Sequence, residues 1–324
     1  MNRRIHSLVA RRVAVPLAAM LLLAACGSTS SPAATTAGGP SKVDSIASEV
    51  PDSIKSLAPL QIATDATYAP NEFINPETGA IEGWDIDFGN AICKVMGVVC
   101  TFNNVIFADI IPQLKAQSPR YLFSLSSYTP TADREKGGID FVTYYKAGEA
   151  WVVKAGGPTV NTAADMCGHT VAVETTTVEE SDAWGFMGKQ VGGTAIPGDK
   201  NNCPAGKDIT VRSFDKQTDA NSALLSGRAD ILWADQPVSD YQVQQSHGQM
   251  KLGGQPCSLA PYGIAMVKNS PLEKPITDAV KYLIDNGYYT AILKKWGVQD
   301  GAIASSDVAL NNNNSIGSSC VPSY

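Results

Sequence analysis

Metal and redox motifs are missing from this sequence. None of its 7 cysteines forms a CxxC pair or a metal-like pair with a histidine, and the 3 histidines (His6, His169, His247) are scattered. That makes zinc a poor reading and disulfides the better one. There is no phosphate-binding glycine loop and no serine-nucleophile elbow, so neither nucleotide hydrolysis nor serine-esterase chemistry has its signature. Positive charge is also short: 25 Lys and Arg against 31 Asp and Glu leave a net charge of −6. A nucleic-acid partner would want a basic stripe. Beyond the first 25 residues no apolar run approaches membrane-spanning length, so the body reads as soluble.

The N-terminus supplies what the body lacks. Arg3, Arg4, Arg11 and Arg12 precede an apolar run from Val13 to Ala25, ending Leu23-Ala24-Ala25-Cys26. A basic start, a short apolar stretch and small residues predict an export signal. The small residues before Cys26 resemble a lipobox, which implies residues 1–26 as a lipoprotein signal and Cys26 as the acylated residue. Residues 27–42, GSTSSPAATTAGGPSK, are small and polar with no apolar period, as in a flexible tether. From Val43, Ile46, Val50, Ile54 and Leu57 recur at helix-like spacing, interrupted by Pro51, so residues 27–57 read as tether and lead-in helix. Without Cys26, six cysteines remain, an even number for an exported chain. We pair Cys93 with Cys100, which bracket a helix end and the next strand, and then Cys167 with Cys203 and Cys257 with Cys320, although the sequence leaves the pairing of these last four open.

Strand and helix patterns alternate through the rest. Leu60 to Thr64 predicts a buried strand, Asp85 to Met96 a helix, Val99 to Val105 an extended segment and Phe107 to Ala116 a helix. Ala150 to Val153, Thr170 to Val173, Ile209 to Val211 and Ile231 to Trp233 predict further short strands. This alternation argues α/β, with one or two mostly parallel sheets. Ile276, Val280, Leu283 and Ile284 mark a late amphipathic helix stopping at Asn286-Gly287. Past Trp296 the chain reads as irregular and pinned only by Cys320.

Chemistry concentrates in SSYTPTADREKGGIDF, residues 126–141, where Ser126, Ser127, Tyr128, Thr129 and Thr131 precede Arg134. A guanidinium fork with hydroxyls beside it suits a carboxylate. From these residues alone, the carboxylate could be the protein's own Asp133 or Glu135. Read the same way, Tyr68 and Phe107 suit a core, and Asp235 before Gln236-Pro237 suits a helix cap.

Taken in order, ATDATYAP (63–70), GWDIDFGNAICKVMGVVC (83–100), the Arg134 stretch, VAVETTTVEE (171–180), GRADILWAD (227–235), YGIAMVKNSPL (262–272) and DNGYYTAILKKWG (285–297) resemble the polar amino-acid-binding proteins of ABC transporters, notably the lysine/arginine/ornithine- and glutamine-binding members. The resemblance spans about residues 58–300. It implies a two-lobe, periplasmic-binding-protein-like (type II) α/β fold with two crossing hinge strands, near Val152–Gly156 and Ser258–Tyr262. Lobe one would take 58–152 plus 262–324, and lobe two 153–261 with the hinge strands. It implies that Arg134 and Thr129 hold a ligand α-carboxylate, helped by Thr177, Ser126 and Ser127, and that Asp235 takes the α-ammonium. Asp65, Tyr68 and Phe107 would meet the ligand side chain. Where the family often has a glycine, this chain has Thr176, which substitutes only if its backbone allows.

The implied activity is amino-acid capture and delivery to ABC permease subunits by a monomer. It would sit on the outer face of the cytoplasmic membrane, touching the membrane only through lipid, with no catalytic residue, cofactor, metal or nucleic acid. Asp65, with no arginine in ATDATYAPNEF, favours cationic or amide ligands. Two alternatives share the fold: a cleft enzyme of the cyclohexadienyl dehydratase type, for which Glu179 is the candidate acid or base, and an input protein for a membrane sensor.

Overall fold

The computed structural model describes residues 38–313 and 319–321. The predicted signal, Cys26 and most of the tether lie outside the described residues.

The lead-in is two single turns, α1 (Asp44–Ala47) and α2 (Asp52–Lys55), split by Pro51, which has no amide hydrogen to continue the first. Ile46 and Val50 enter the lobe-one core, so this segment is part of the body. Strand β1 (Leu60–Thr64) follows, then a small antiparallel ribbon of β2 (Thr67–Tyr68), β3 (Glu72–Ile74) and β4 (Ile81–Glu82). Helix α3 (Trp84–Val95) buries Phe88, Ile92 and Val95, as the 3.6-residue spacing requires. Next come β5 (Cys100–Asn104), α4 (Phe107–Leu114), β6 (Phe123–Tyr128), α5 (Ala132–Lys136) and β7 (Ile139–Lys154).

Lobe two contains β8 (Thr170–Glu174), α6 (Val178–Gly185), β9 (Thr210–Phe214), α7 (Gln217–Ser226), β10 (Ile231–Asp235), α8 (Gln236–Gln245) and β11 (Met250–Leu252). The chain returns along β12 (Cys257–Val267) and ends the lobe-one core with α9 (Glu273–Asp285) and α10 (Tyr288–Trp296).

One mixed sheet runs through both lobes in the order β5-β1-β6-β12-β7-β10-β8-β9, with β11 also on β7. The pairs β1–β5, β1–β6, β10–β8 and β8–β9 are parallel; β12 and β7 are antiparallel to their neighbours. The expectation of a mostly parallel sheet therefore fails at the hinge, where two long strands cross in opposite directions. Strand β7 is 16 residues long and pairs with β12 up to Glu149, then with β10 from Glu149 to Val153. The crossing on this strand thus lies at Glu149, ahead of the expected Val152–Gly156. On the return strand β12 it falls near the expected Ser258–Tyr262.

All three disulfides form as paired: Cys93–Cys100, Cys167–Cys203 and Cys257–Cys320 have Cα separations of 6.1, 5.5 and 5.0 Å. The tail departs from the expectation in two ways. It is held well before Cys320, because Asn311 donates to Asp140 at 2.7 Å and accepts from the Phe141 amide at 2.9 Å. Its end also crosses over: Cys320 and Val321 pack into the lobe-two core beside Trp151 and Val160, so residues 262–324 do not all belong to lobe one.

Candidate ligand-binding site

Arg134 sits in the first turn of α5, where the Thr131 hydroxyl caps the helix by accepting from the Arg134 amide at 3.2 Å. The guanidinium donates to the Thr129 carbonyl at 2.7 Å and, across the cleft, to the Thr176 carbonyl at 2.9 Å. It lies over the Tyr128 and Phe107 rings at 5.0 and 5.6 Å. No described carboxylate pairs with it, and Asp133 pairs instead with Lys136. The surface-turn reading of Arg134 has no support here.

The hydroxyls beside it are wired to buried acids. Ser126 Oγ accepts from the Asp65 amide at 2.9 Å and donates to Glu72 Oε1 at 3.0 Å. Ser127 Oγ accepts from Asn71 Nδ2 at 2.9 Å, while Tyr144 donates to Asp85 Oδ2 at 2.8 Å. Ser127 has φ of +52°, a left-handed conformation that L-residues rarely hold outside functional sites. Burial pushes Glu72 well above the usual carboxylate range, with Asp85 next to it adding repulsion; burial also pushes Asp85 up to about 7.

Lobe two contributes the loop before α6. Thr176 has φ of +64°, so it does take the glycine-like conformation this loop demands. Its amide donates to Glu180 Oε2 at 2.7 Å, which leaves its carbonyl facing Arg134. Thr177 caps α6, accepting from the Glu180 amide at 3.2 Å and donating to the Glu174 carbonyl at 2.8 Å. Asp235 ends β10 as the residue before α8, but its side chain makes no capping bond. Burial raises its pKa to about 6, while the Tyr262 hydroxyl, Glu179 and Arg134 pull it back down.

These parts enclose one cavity of about 20 Å³ between the lobes, lined by Tyr68, Phe107, Ser126, Ser127, Thr129, Arg134, Thr177 and Asp235, together with Val178, Glu179 and Gln217. That is room for about one water, so an amino acid enters only when the lobes part. Asp65 is the predicted site residue that does not line it. Its carboxylate accepts from the Phe107 amide at 2.7 Å and so fixes the ring that faces Tyr68, at 6.0 Å between centroids. Burial raises Asp65 to about 6.

The profile of the bacterial extracellular solute-binding proteins, family 3, matches residues 60–299. The chain belongs to this family. An "Arginine-binding protein ArgT" of Corynebacterium glutamicum is 31% identical over 275 residues, 84% of each chain. The "ABC transporter glutamine-binding protein GlnH" of Bacillus subtilis is 30% identical over 293 residues, covering 89% of this chain and 96% of the relative. Among solved structures, "An ancestral arginine-binding protein bound to glutamine" superposes with a TM-score of 0.63 at 32% identity, over 74% of this chain and 97% of that one. An ancestral amino acid-binding protein described as "a precursor of cyclohexadienyl dehydratase" gives 0.64 at 27%, over 76% of this chain and 98% of that one.

In this solute-binding protein, sequence reasoning missed three lining or flanking residues. Glu72 and Glu174 approach the aromatic pair from opposite lobes: Glu72 accepts from Ser126, and Glu174 accepts from the Tyr68 hydroxyl. Gln217, at the start of α7, donates from its amide to Thr67 of the opposite lobe at 3.2 Å. For Glu72 and Glu174 the available signal was an acidic residue beside or inside a recognised motif, ATDATYAP and VAVETTTVEE; Gln217 stands in none.

Proposed function

We propose that this solute-binding protein captures a cationic amino acid, with arginine and then lysine preferred over glutamine, and delivers it to the permease subunits of an ABC transporter. It would act as a monomer without catalysis. The observation that carries the choice of ligand is the acidic side-chain end of the cleft. Asp65, Glu72 and Glu174 are each 1% exposed or less; Asp65 accepts from the Phe107 amide, Glu174 from the Tyr68 hydroxyl, Glu72 is the register partner of Tyr68, and none is in an ion pair among the described residues. Among the described residues, Glu72 Oε2 and Glu174 Oε1 have no hydrogen-bond partner. Buried carboxylates of this kind are stabilised by a cation, and a guanidinium between two aromatic rings supplies one. Arg134 at the other end would take the α-carboxylate, and Asp235 the α-ammonium. Arginine and histidine in the names of two relatives agree with a cationic ligand, while glutamine in a third supports the amide alternative.

Glu179 gives the enzyme reading its one foothold, since burial, then Asp235 beside it, raises its pKa well above the usual range. That proton neutralises the Asp235 neighbour, which a binding site needs as much as a catalyst does. Cys26, by its lipobox, would hold the protein to the outer face of the cytoplasmic membrane; Cys26→Ser remaining with membranes on detergent partitioning would refute this. A thermal-shift screen over the amino acids tests the ligand. Arginine at 100 times its Kd should add about 2.7 kcal/mol of apparent stability. A response to glutamate or leucine, with none to arginine or lysine, would overturn the assignment.

A further inference from the structure

Next to the small ligand cavity lies a much larger chamber of about 460 Å³ at the hinge, whose walls include Thr129, Glu149, Val178, Asp182, Asp235 and Ser258. Asp235, Thr129 and Val178 line both spaces, so the chamber continues from the end of the cavity where the α-ammonium would sit. Glu149 is 5% exposed, and its Oε2 has no hydrogen-bond partner among the described residues. Glu149 and Asp235 are register partners on antiparallel β7 and β10. Their side chains therefore leave the same face of the sheet with Cβ atoms about 4.5–5.5 Å apart, an arrangement that is destabilising for two like charges. Burial pushes the Glu149 carboxyl well up, and Glu179, Asp182 and Asp235 push it further. The chamber is thus acidic, and among the described residues neither Glu149 nor Asp235 is in an ion pair. A bare metal ion does not fit, because no group of three or more metal-ligating side chains is arranged for one among the described residues.

We propose that this chamber is an extension subsite for the free ammonium of a dipeptide whose C-terminal, cationic residue occupies the amino-acid cavity. The proposal rests on the reading of that cavity given above. The geometry fits one added residue. An extended chain advances about 3.3–3.6 Å per residue, which carries the ammonium from Asp235 toward Glu149. The α-nitrogen becomes a peptide N–H, which still donates to the Asp235 carboxylate. The carboxylate on Arg134 and the side chain between Tyr68 and Phe107 stay in place.

The test is calorimetric titration with arginine, alanyl-arginine and Nα-acetyl-arginine, the last extending the α-nitrogen without a charge. Alanyl-arginine should bind at least tenfold tighter than Nα-acetyl-arginine. In Glu149→Gln most of that preference should vanish, while arginine changes by less than threefold. The comparison of the two extended ligands needs no variant, so it stands even if Glu149→Gln folds poorly. Alanyl-arginine binding no better than Nα-acetyl-arginine overturns the subsite, as does an equal loss of all three ligands in Glu149→Gln. Arginine bound with both extended ligands refused removes this proposal alone. Alanyl-arginine bound while free arginine and lysine are refused removes the amino-acid reading and keeps the subsite. Refusal of all of them removes both.

Discussion

The two ends of the cleft solve opposite problems with different materials. At one end a single guanidinium is held by two carbonyls and two aromatic faces, none of which cancels its charge. At the other end Asp65, Glu72 and Glu174 are buried together, and burial pushes each of them toward its neutral form. On the proposed reading the guanidinium would meet a carboxylate without changing its own charge, whereas Glu72 and Glu174 would have to give up protons to meet a cation. Recognition of the ligand's carboxylate should therefore be strong and insensitive to pH, and recognition of its side chain should be tunable.

Removing the arginine breaks the cationic end outright. Arg134→Ala would leave the ligand carboxylate buried and unpaired, at a cost of about 3–5 kcal/mol. Affinity should fall by roughly two to three and a half orders of magnitude for every amino acid tested. Lysine at this position should restore only part, since it lacks the fork that spans Thr129 and Thr176. Calorimetry decides the matter: a folded Arg134→Ala that binds within threefold of the wild type would mean the guanidinium does not meet the ligand.

The acidic end should respond selectively. Burial, and then Asp65, hold the Glu174 pKa up to about 11, so Glu174→Gln closely copies the protonated ligand-free state and should leave that state about as stable. What it removes is the pairing with a cation, about 1.5–3 kcal/mol for a hydrogen bond to a charged group. Arginine and lysine should weaken by roughly one to two orders of magnitude while glutamine changes little. Equal losses for arginine and glutamine in a titration panel would show that Glu174 does not read charge.

The same protons give a pH signature. Asp65 and Asp235, raised by burial to about 6, bind protons more tightly folded than unfolded. Their contribution to ligand-free stability is present below the unfolded value of about 4 and is lost as pH rises through 6. A cationic ligand favours the ionised forms, so arginine binding should release protons and strengthen between pH 5 and 7.5. Melting curves with and without arginine should diverge as pH rises. An arginine-dependent gain that shrinks over that range would contradict the account, and Asp235→Asn should flatten the slope.

The cationic end was also the legible one. Arg134 and Thr129 stand in a recognisable run, and Thr177 stands in another, VAVETTTVEE. The acidic end was not. Glu174 closes the run VAVE and Glu72 sits in a short ribbon, and the partners that single them out, Tyr68 of the other lobe for Glu174 and Ser126 for Glu72, lie far away in sequence. Strand β7 was hidden for a related reason. Sequence patterning found Ala150 to Val153 but not the preceding residues from Ile139, because a strand covered on both sides shows no polar alternation. The register that sets Glu149 opposite Asp235 was lost with it. Cysteine parity pointed to disulfides but left the pairing of the last four cysteines open, and it gave no sign that Cys257–Cys320 carries the tail onto lobe two.

The smallest effect concerns the loop that joins the two ends. Thr176 is exposed, yet it is β-branched and holds φ of +64°. A left-handed conformation costs an L-residue about 1–2 kcal/mol, more readily spared by glycine than by any other residue. Glycine also frees the unfolded chain, which takes back about 0.4–1 kcal/mol. The net result for Thr176→Gly should be a stabilisation of roughly 0.5–1 kcal/mol, read as a rise in melting temperature. The bonds that matter to the site are main-chain ones, from the Thr176 amide to Glu180 and from Arg134 to the Thr176 carbonyl, and glycine keeps both. Affinity for arginine should therefore stay within about threefold. A lower melting temperature would show that the threonine side chain stabilises the loop by more than its backbone strain costs. A large loss of affinity at unchanged stability would instead mean that the Thr176 hydroxyl itself reaches the ligand, shifting part of the carboxylate's recognition from lobe one to lobe two.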